Sequence, residues 1–179
     1  MKLFRTTTVR LGLISLCALT MAPACGDPLR DQAIAALGPE SPSRPPGPLH
    51  RAGQPCLVCH NDAGNAPAFT AAGTVYRDPT TTAALGNVEV RLVDAAGRGF
   101  TARTNCIGNF FVTPTELAPT FPVWATVRRG GMSIDMESPL NRNGDCDGCH
   151  QDPARPISTG HIFLDDDPES TLAEDACPP

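Results

Sequence analysis

Apolar and polar residues alternate with a period of two over much of the middle of this chain. The clearest case is Asn87-Val88-Glu89-Val90-Arg91-Leu92-Val93-Asp94. Successive strand residues point to opposite faces, so Val88, Val90 and Leu92 are expected to share one core-facing side. Asp94-Ala95-Ala96-Gly97 has turn chemistry, and residues 99–104 are expected to return as the partner strand. The same reading places strands at 69–76, 109–113, 123–128 and 132–136. Asn105–Gly108 and Gly130-Gly131 are turns, and Pro119 and Pro122 bracket a crossover. Short strands punctuated in this way predict a mainly β fold, a small antiparallel sandwich over residues 68–137. Val88, Val90 and Leu92 belong to its core.

The pattern is different on either side. Residues 29–37 hold enough apolar positions for two helical turns. The run 38–48 that follows contains five prolines, which fix φ and remove donors. It reads as a semi-extended spacer, so 25–49 is expected to be a tether. Residues 1–24 carry Lys2, Arg5 and Arg10, then an apolar run from Leu11 to Met21 that is short for a membrane span. This is the pattern of an export signal. Its end, Ala22-Pro23-Ala24-Cys25, suits ordinary signal peptidase. It also resembles a bacterial lipobox that would leave Cys25 acylated, although Ala22 stands where such motifs usually carry Leu.

Candidate chemistry lies on the two flanks of the sandwich. Cys56-Leu57-Val58-Cys59-His60 recurs as Cys146-Asp147-Gly148-Cys149-His150. C-x-x-C-H is the attachment signature of c-type haem. Two thiols at this spacing can form thioethers with the two vinyl groups, and the next residue supplies an imidazole to the iron. The reading is therefore two haem c groups. Cys56, Cys59, Cys146 and Cys149 attach them, with His60 and His150 as proximal ligands. The remaining histidines, His50 and His161, are candidate distal ligands, with Met132 and Met136 as competitors. Because Met132 and Met136 are spaced to share one strand face, they are expected to pack into the core. Trp124 is expected in that core too, as a bulky apolar side chain, with stacking near a porphyrin edge as the alternative.

Other readings of the cysteines remain. Two C-x-x-C pairs can hold zinc, though zinc gives no reason for a His after each pair. They can form short disulfides only with strain. A dithiol redox centre would want a thioredoxin-like βαβ context, which this sequence lacks. Outside the export segment and these pairs stand Cys25, Cys106 and Cys177. If Cys25 is acylated, Cys106 and Cys177 are left to pair in an oxidising compartment. The chain is expected outside the cytoplasm either way, periplasmic or at the cell surface, with the lipid on Cys25 as its membrane contact.

Composition narrows the function classes. The formal charge is −5, and removing the export segment takes it to about −8, without a basic patch. This argues against nucleic acid as a partner. Asp165, Asp166 and Asp167 read as a solvated acidic tail. There is no G-x-S-x-G, no HExxH and no phosphate loop, so an enzyme is not indicated.

One further pattern carries a resemblance. Gly73 and Val75 are followed by Val88, Val90 and Leu92, then Asp94 and Gly97, then Thr101, Thr104, Asn105, Gly108 and Phe110. This order resembles the carboxypeptidase regulatory-like family, an Ig-like or transthyretin-like β-sandwich, over about seventy residues of the chain. The resemblance implies that fold and a stalk or binding-module role rather than catalysis. Cys106 departs from the family turn and would suit a disulfide to a later segment. Together with the two C-x-x-C-H motifs, the chain also loosely resembles small extracytoplasmic multihaem proteins of bacteria.

The expected organisation is an export signal at 1–24 and an anchor cysteine with tether at 25–49. A first haem segment follows at 50–67, loop with one helical turn at the motif, then the sandwich at 68–137. A second haem segment of loop and helical turn at 138–164, in which 160–164 can form a last strand, and an acidic tail at 165–179 complete it. The expected function is an exported dihaem cytochrome passing electrons between redox protein partners at the cell envelope. The alternatives are a non-redox lipoprotein binding module with zinc or disulfide sites, and a haem peroxidase or sensor with one open iron.

Overall fold

The computed structural model describes residues 27–153, 156, 158–164 and 177. The export segment, Cys25 and the acidic run Asp165, Asp166 and Asp167 lie outside the described residues. The alternating region forms strands β1 (Ala71–Tyr76), β2 (Glu89–Asp94), β3 (Gly99–Arg103), β4 (Asn109–Val112), β5 (Val123–Arg129) and β6 (Met132–Asp135). Two-residue strands β7 (Gly144–Asp145) and β8 (Ile162–Phe163) follow, and one helix, α1 (Pro28–Ala36), precedes them all.

The strands form two sheets. One has the order β3-β2-β5-β6 and is antiparallel throughout. In the other, β4 lies antiparallel along one side of β1. The other side of β1 is shared by β7, which pairs with Ala71 and Ala72, and β8, which pairs with Val75 and Tyr76. Both of these pairings are parallel, so this sheet is mixed where an antiparallel sandwich was expected. The reason is connectivity. The chain leaves the β1 edge at β7, makes the second C-x-x-C-H segment, and returns to the same edge at β8.

One apolar core joins the sheets. Ala71, Val75, Phe110 and Val112 from the β1–β4 sheet meet Val90, Leu92, Ala102, Val123 and Val127 from the second sheet, β3-β2-β5-β6, with Val88 and Leu85 beside them. The alternation of β2 thus buries the side it was expected to bury. The β2–β3 turn is tied by Asp94, whose carboxylate accepts from the backbone N–H groups of Ala96, Arg98 and Thr120 at 2.9 Å each. The last of these bonds fastens the crossover to the hairpin.

Two expectations need correction. Trp124 is not in the core but 47% exposed. Val123 and Val127 take the inward positions of β5, and strand parity then turns Trp124 to the outer face. The proline-rich stretch is not a free tether either. Arg51 donates to the carbonyls of Leu37 (3.3 Å) and Gly38 (2.8 Å) and to Glu40 (2.7 Å). Asn105 donates to Pro48 O at 2.7 Å and Asn109 to His50 O at 2.9 Å. Side chains of Arg51, Asn105 and Asn109 thus collect backbone carbonyls at both ends of the stretch, from Leu37 and Gly38 to Pro48 and His50. Helix α1, capped by Asp27, is docked in the same way through Arg30 Nε, which donates to Val58 O at 3.1 Å.

Candidate functional site

The two C-x-x-C-H motifs fold alike although their intervening residues differ. Cys56–Val58 and Cys146–Gly148 each form one 3-10 turn. The N–H groups of Cys59 and His60 donate to Cys56 O at 3.2 and 3.0 Å, and those of Cys149 and His150 donate to Cys146 O at 3.1 and 2.9 Å. The residue before each turn is non-helical, with similar angles (Pro55 φ −57°, ψ 102°; Asp145 φ −75°, ψ 82°). The residue closing it is helical (Cys59 φ −100°, ψ −38°; Cys149 φ −109°, ψ −33°). Leu-Val and Asp-Gly therefore serve the same backbone, which is fixed by the spacing of cysteines and histidine.

The histidines repeat the correspondence. His60 Nδ1 lies 2.7 Å from Pro67 O, and His150 Nδ1 lies 2.7 Å from Gly160 O. A carbonyl only accepts, so each Nδ1 carries the hydrogen and each Nε2 keeps its lone pair. That is the tautomer a metal-binding imidazole needs. His50 stands beside His60, with ring centroids 5.8 Å apart and planes at 70°. His161 is buried and stacked on Tyr76 at 4.2 Å, with Nε2 3.3 Å from Asp152 Oδ1. His50 Nδ1 and His161 Nδ1 are buried atoms without a hydrogen-bond partner. His50 Nδ1 comes within 3.5 Å of Glu40 Oε1 without forming a bond.

The two motifs adjoin one another on β1. All six β1 residues are buried, because the sandwich core covers one face and the motif segments the other. Thr74 is the main fastener. Its N–H donates to Asp147 Oδ1 at 3.0 Å, and its hydroxyl donates to Asp147 Oδ2 at 3.0 Å and accepts from Gly53 N at 2.8 Å. Between the motifs, Leu57 N–H donates to Asp145 Oδ1 at 3.5 Å. Small residues permit this close approach. A Cβ on Gly73 would lie 2.8 Å from Cys146 Cβ, and one on Gly144 would fall against Ala71.

Burial governs the electrostatics here. It pushes the Cys56 and Cys146 thiols upward, with Asp147 and Asp145 adding to the effect. A reactive dithiol needs the opposite shift. Burial also raises Asp147 well above the ordinary carboxylate range, against the bonds from Thr74, and raises Asp145. It lowers His50, opposed by Glu40, and lowers His150, opposed by the Gly160 carbonyl.

The remaining expected positions can be placed. Cys106 and Cys177 are joined in a disulfide, and Cys56, Cys59, Cys146 and Cys149 are free thiols. Met132 packs against the core, and Met136 is half-buried. Among the described residues no three His, Cys, Asp or Glu side chains are gathered to hold a metal ion, which a four-cysteine zinc site would require. Sequence reasoning missed an aromatic stack: His60 lies on Phe69 at 4.1 Å, and Phe69 on Phe111 at 4.9 Å. Only the parity of β4 hinted at the outward position of Phe111. Sequence reasoning also missed Glu40 and Arg51, whose contact with His50 follows no periodicity.

The haem c that the motifs imply fits the donors present. Two imidazoles hold the ligand tautomer beside paired thiols, and His50 stands beside one of them. Comparison with protein-family models, curated proteins and solved structures finds no match to this chain.

Proposed function

We propose that this chain is an exported dihaem c-type cytochrome that carries electrons between redox proteins at the bacterial cell envelope. The observation that carries this reading is the paired construction of the motifs. Two different C-x-x-C-H sequences make one backbone turn, and in each a backbone carbonyl accepts from the histidine Nδ1 and leaves Nε2 its lone pair. Disulfide chemistry at the cysteines gives no reason for that arrangement, and zinc, which would use the same tautomer, needs ligands gathered in a way the described residues do not show.

In this reading Cys56 and Cys59 hold one haem, and Cys146 and Cys149 the other. The thiols would be the attachment points for the vinyl groups, His60 and His150 would hold the irons, and His50 and His161 would be the further candidate ligands. Haem c supplies one-electron iron chemistry when bound. The protein fixes the ligands, keeps the two attachment turns adjacent, and seats them on a rigid strand. Two histidines per iron favour electron transfer over ligand chemistry, so the protein is a carrier rather than an enzyme.

The sandwich is proposed to be of the carboxypeptidase regulatory-like, Ig-like kind. Support comes from the Asn105–Gly108 turn, where Gly108 takes φ +76° and a Cβ would fall on the Val75 carbonyl. The export signal and a lipid on Cys25 complete the proposal, and place the chain outside the cytoplasm.

A second reading has one observation in its favour. A cavity of about 490 Å³ on the second sheet is lined by Asn87, Glu89, Arg103, Arg128 and Met132, and a non-redox binding module would use such a cavity. The double variants Cys56→Ala/Cys59→Ala and Cys146→Ala/Cys149→Ala separate the readings. After expression with c-haem maturation, each is expected to lose one of two covalent haems. Haem-free wild type containing zinc or no metal would favour the binding module. Ready binding of carbon monoxide by the reduced protein would instead favour an open iron site.

A further inference from the structure

We propose that Glu40, braced by Arg51, is a positioning residue for the first haem: it accepts the Nδ1 hydrogen of His50 and makes that imidazole a more basic distal ligand. The inference rests on the dihaem reading and adds to it a residue that controls the potential of one haem.

The geometry is specific. His50 Nδ1 is buried and has no hydrogen-bond partner, and Glu40 Oε2 is buried and has none either. The two groups lie side by side, with His50 Nδ1 3.5 Å from Glu40 Oε1. A buried donor and a buried acceptor left unsatisfied are each unfavourable, so two neighbouring orphans are complementary. A small rotation of either side chain closes the bond. That rotation also fixes the tautomer, with hydrogen on Nδ1 and the lone pair on Nε2.

The carboxylate is held for this role. Arg51 Nε donates to Glu40 Oε1 at 2.7 Å. The rest of the guanidinium is occupied by Gln54 Oε1 at 2.7 Å and by the carbonyls of Leu37 and Gly38. Arg51 adopts φ +49°, a left-handed conformation uncommon for a side chain of its size. The proline-rich stretch therefore delivers Glu40 to His50. His60, the other imidazole of this pair, has only a carbonyl partner. A carboxylate raises the basicity of a ligating imidazole more than a neutral acceptor does, which favours oxidised iron.

The test is Glu40→Gln in the full holoprotein, with a midpoint potential measured for each haem by spectroelectrochemistry. The neutral amide keeps an oxygen for Arg51 but removes the charge facing His50. The expected result is two covalent low-spin haems, with one potential unchanged and the other raised. The rise corresponds to roughly a tenfold shift toward reduction, about 59 mV for one electron. Two low-spin haems with both potentials unmoved would overturn the role of Glu40 while leaving the dihaem reading intact. Absence of covalent haem in the wild type would overturn that reading itself. If Glu40→Gln does not fold, the wild type still decides. Its His50 Nδ1–H, followed by NMR in deuterated solvent, should exchange slowly behind Glu40, and rapid exchange would refute the bond.

Discussion

Gly73→Ala tests whether the second attachment turn is seated on β1 as described. Gly73 lies mid-strand opposite Phe110. An added methyl would stand 2.8 Å from Cys146 Cβ, 3.1 Å from Phe110 Cε1 and 3.2 Å from Asp147 Oδ1. The first contact is shorter than packed carbons tolerate, and neither neighbour is free to yield. Phe110 is 2% exposed in the core, and Asp147 is fully buried under two bonds from Thr74. Overpacking of this kind costs about 1–3 kcal/mol. Replacing glycine by alanine also restricts the unfolded chain, which returns roughly 0.4–1 kcal/mol. Taking the middle of each range, the net loss is about 1.3 kcal/mol. At about 3–5 °C per kcal/mol for a domain of this size, Tm should fall by roughly 4–7 °C. The assay is a thermal melt of holoprotein followed by circular dichroism, with the Soret band recorded in parallel. An unchanged or raised Tm would show that Cys146 does not lie against Gly73, and the seating of the second motif would be wrong.

Other expectations follow from the sandwich. Leu92→Ala, at a position 1% exposed, should cost about 2–5 kcal/mol in urea unfolding. Trp124→Ala should cost under about 1.5 kcal/mol, because that side chain is half in water; equal losses would refute the assignment of faces on β5. Asp94→Asn should flatten the acid limb of Tm against pH. The bonds from Thr120 N–H, then Arg98, hold the Asp94 carboxyl at about 2, below its ordinary 3.8. Its contribution is therefore full above about pH 4 and is lost as pH falls through 2. A variant whose acid limb matches the wild type would contradict this role.

Much of the fold was legible because β2 obeys one rule along its length. Val88, Val90 and Leu92 alternate with polar residues, and Asp94 with Gly97 marks the turn that ends the run. The same rule, applied strictly, places Trp124 outside, since Val123 and Val127 occupy the inward positions. Reading Trp124 by size rather than parity puts it in the wrong layer. Residues 160–164 read as a last strand and contain β8, but strands of two residues carry no partner signal, so β7 and the parallel pairing of that edge were invisible. The docked proline stretch was hidden for another reason. Its bonds come from Arg51, Asn105 and Asn109 to backbone carbonyls, and such bonds leave no pattern in the residues that accept them. At the candidate site, cysteine spacing was a local signal and could be seen. The meeting of the two motifs on β1 depends on contacts between residues far apart in the chain, such as Thr74 with Asp147 and Leu57 with Asp145.

The central claim concerns the two C-x-x-C-H turns, and counting covalent haem tests it most directly. The chain would be expressed with its export segment in a host that matures c-type haem, then purified and denatured. Intact mass and the alkaline pyridine spectrum would be measured on the same sample. The account predicts two haems per chain, retained after denaturation because they are held by thioether bonds. A chain whose mass shows four free thiols and no haem under those conditions would contradict it.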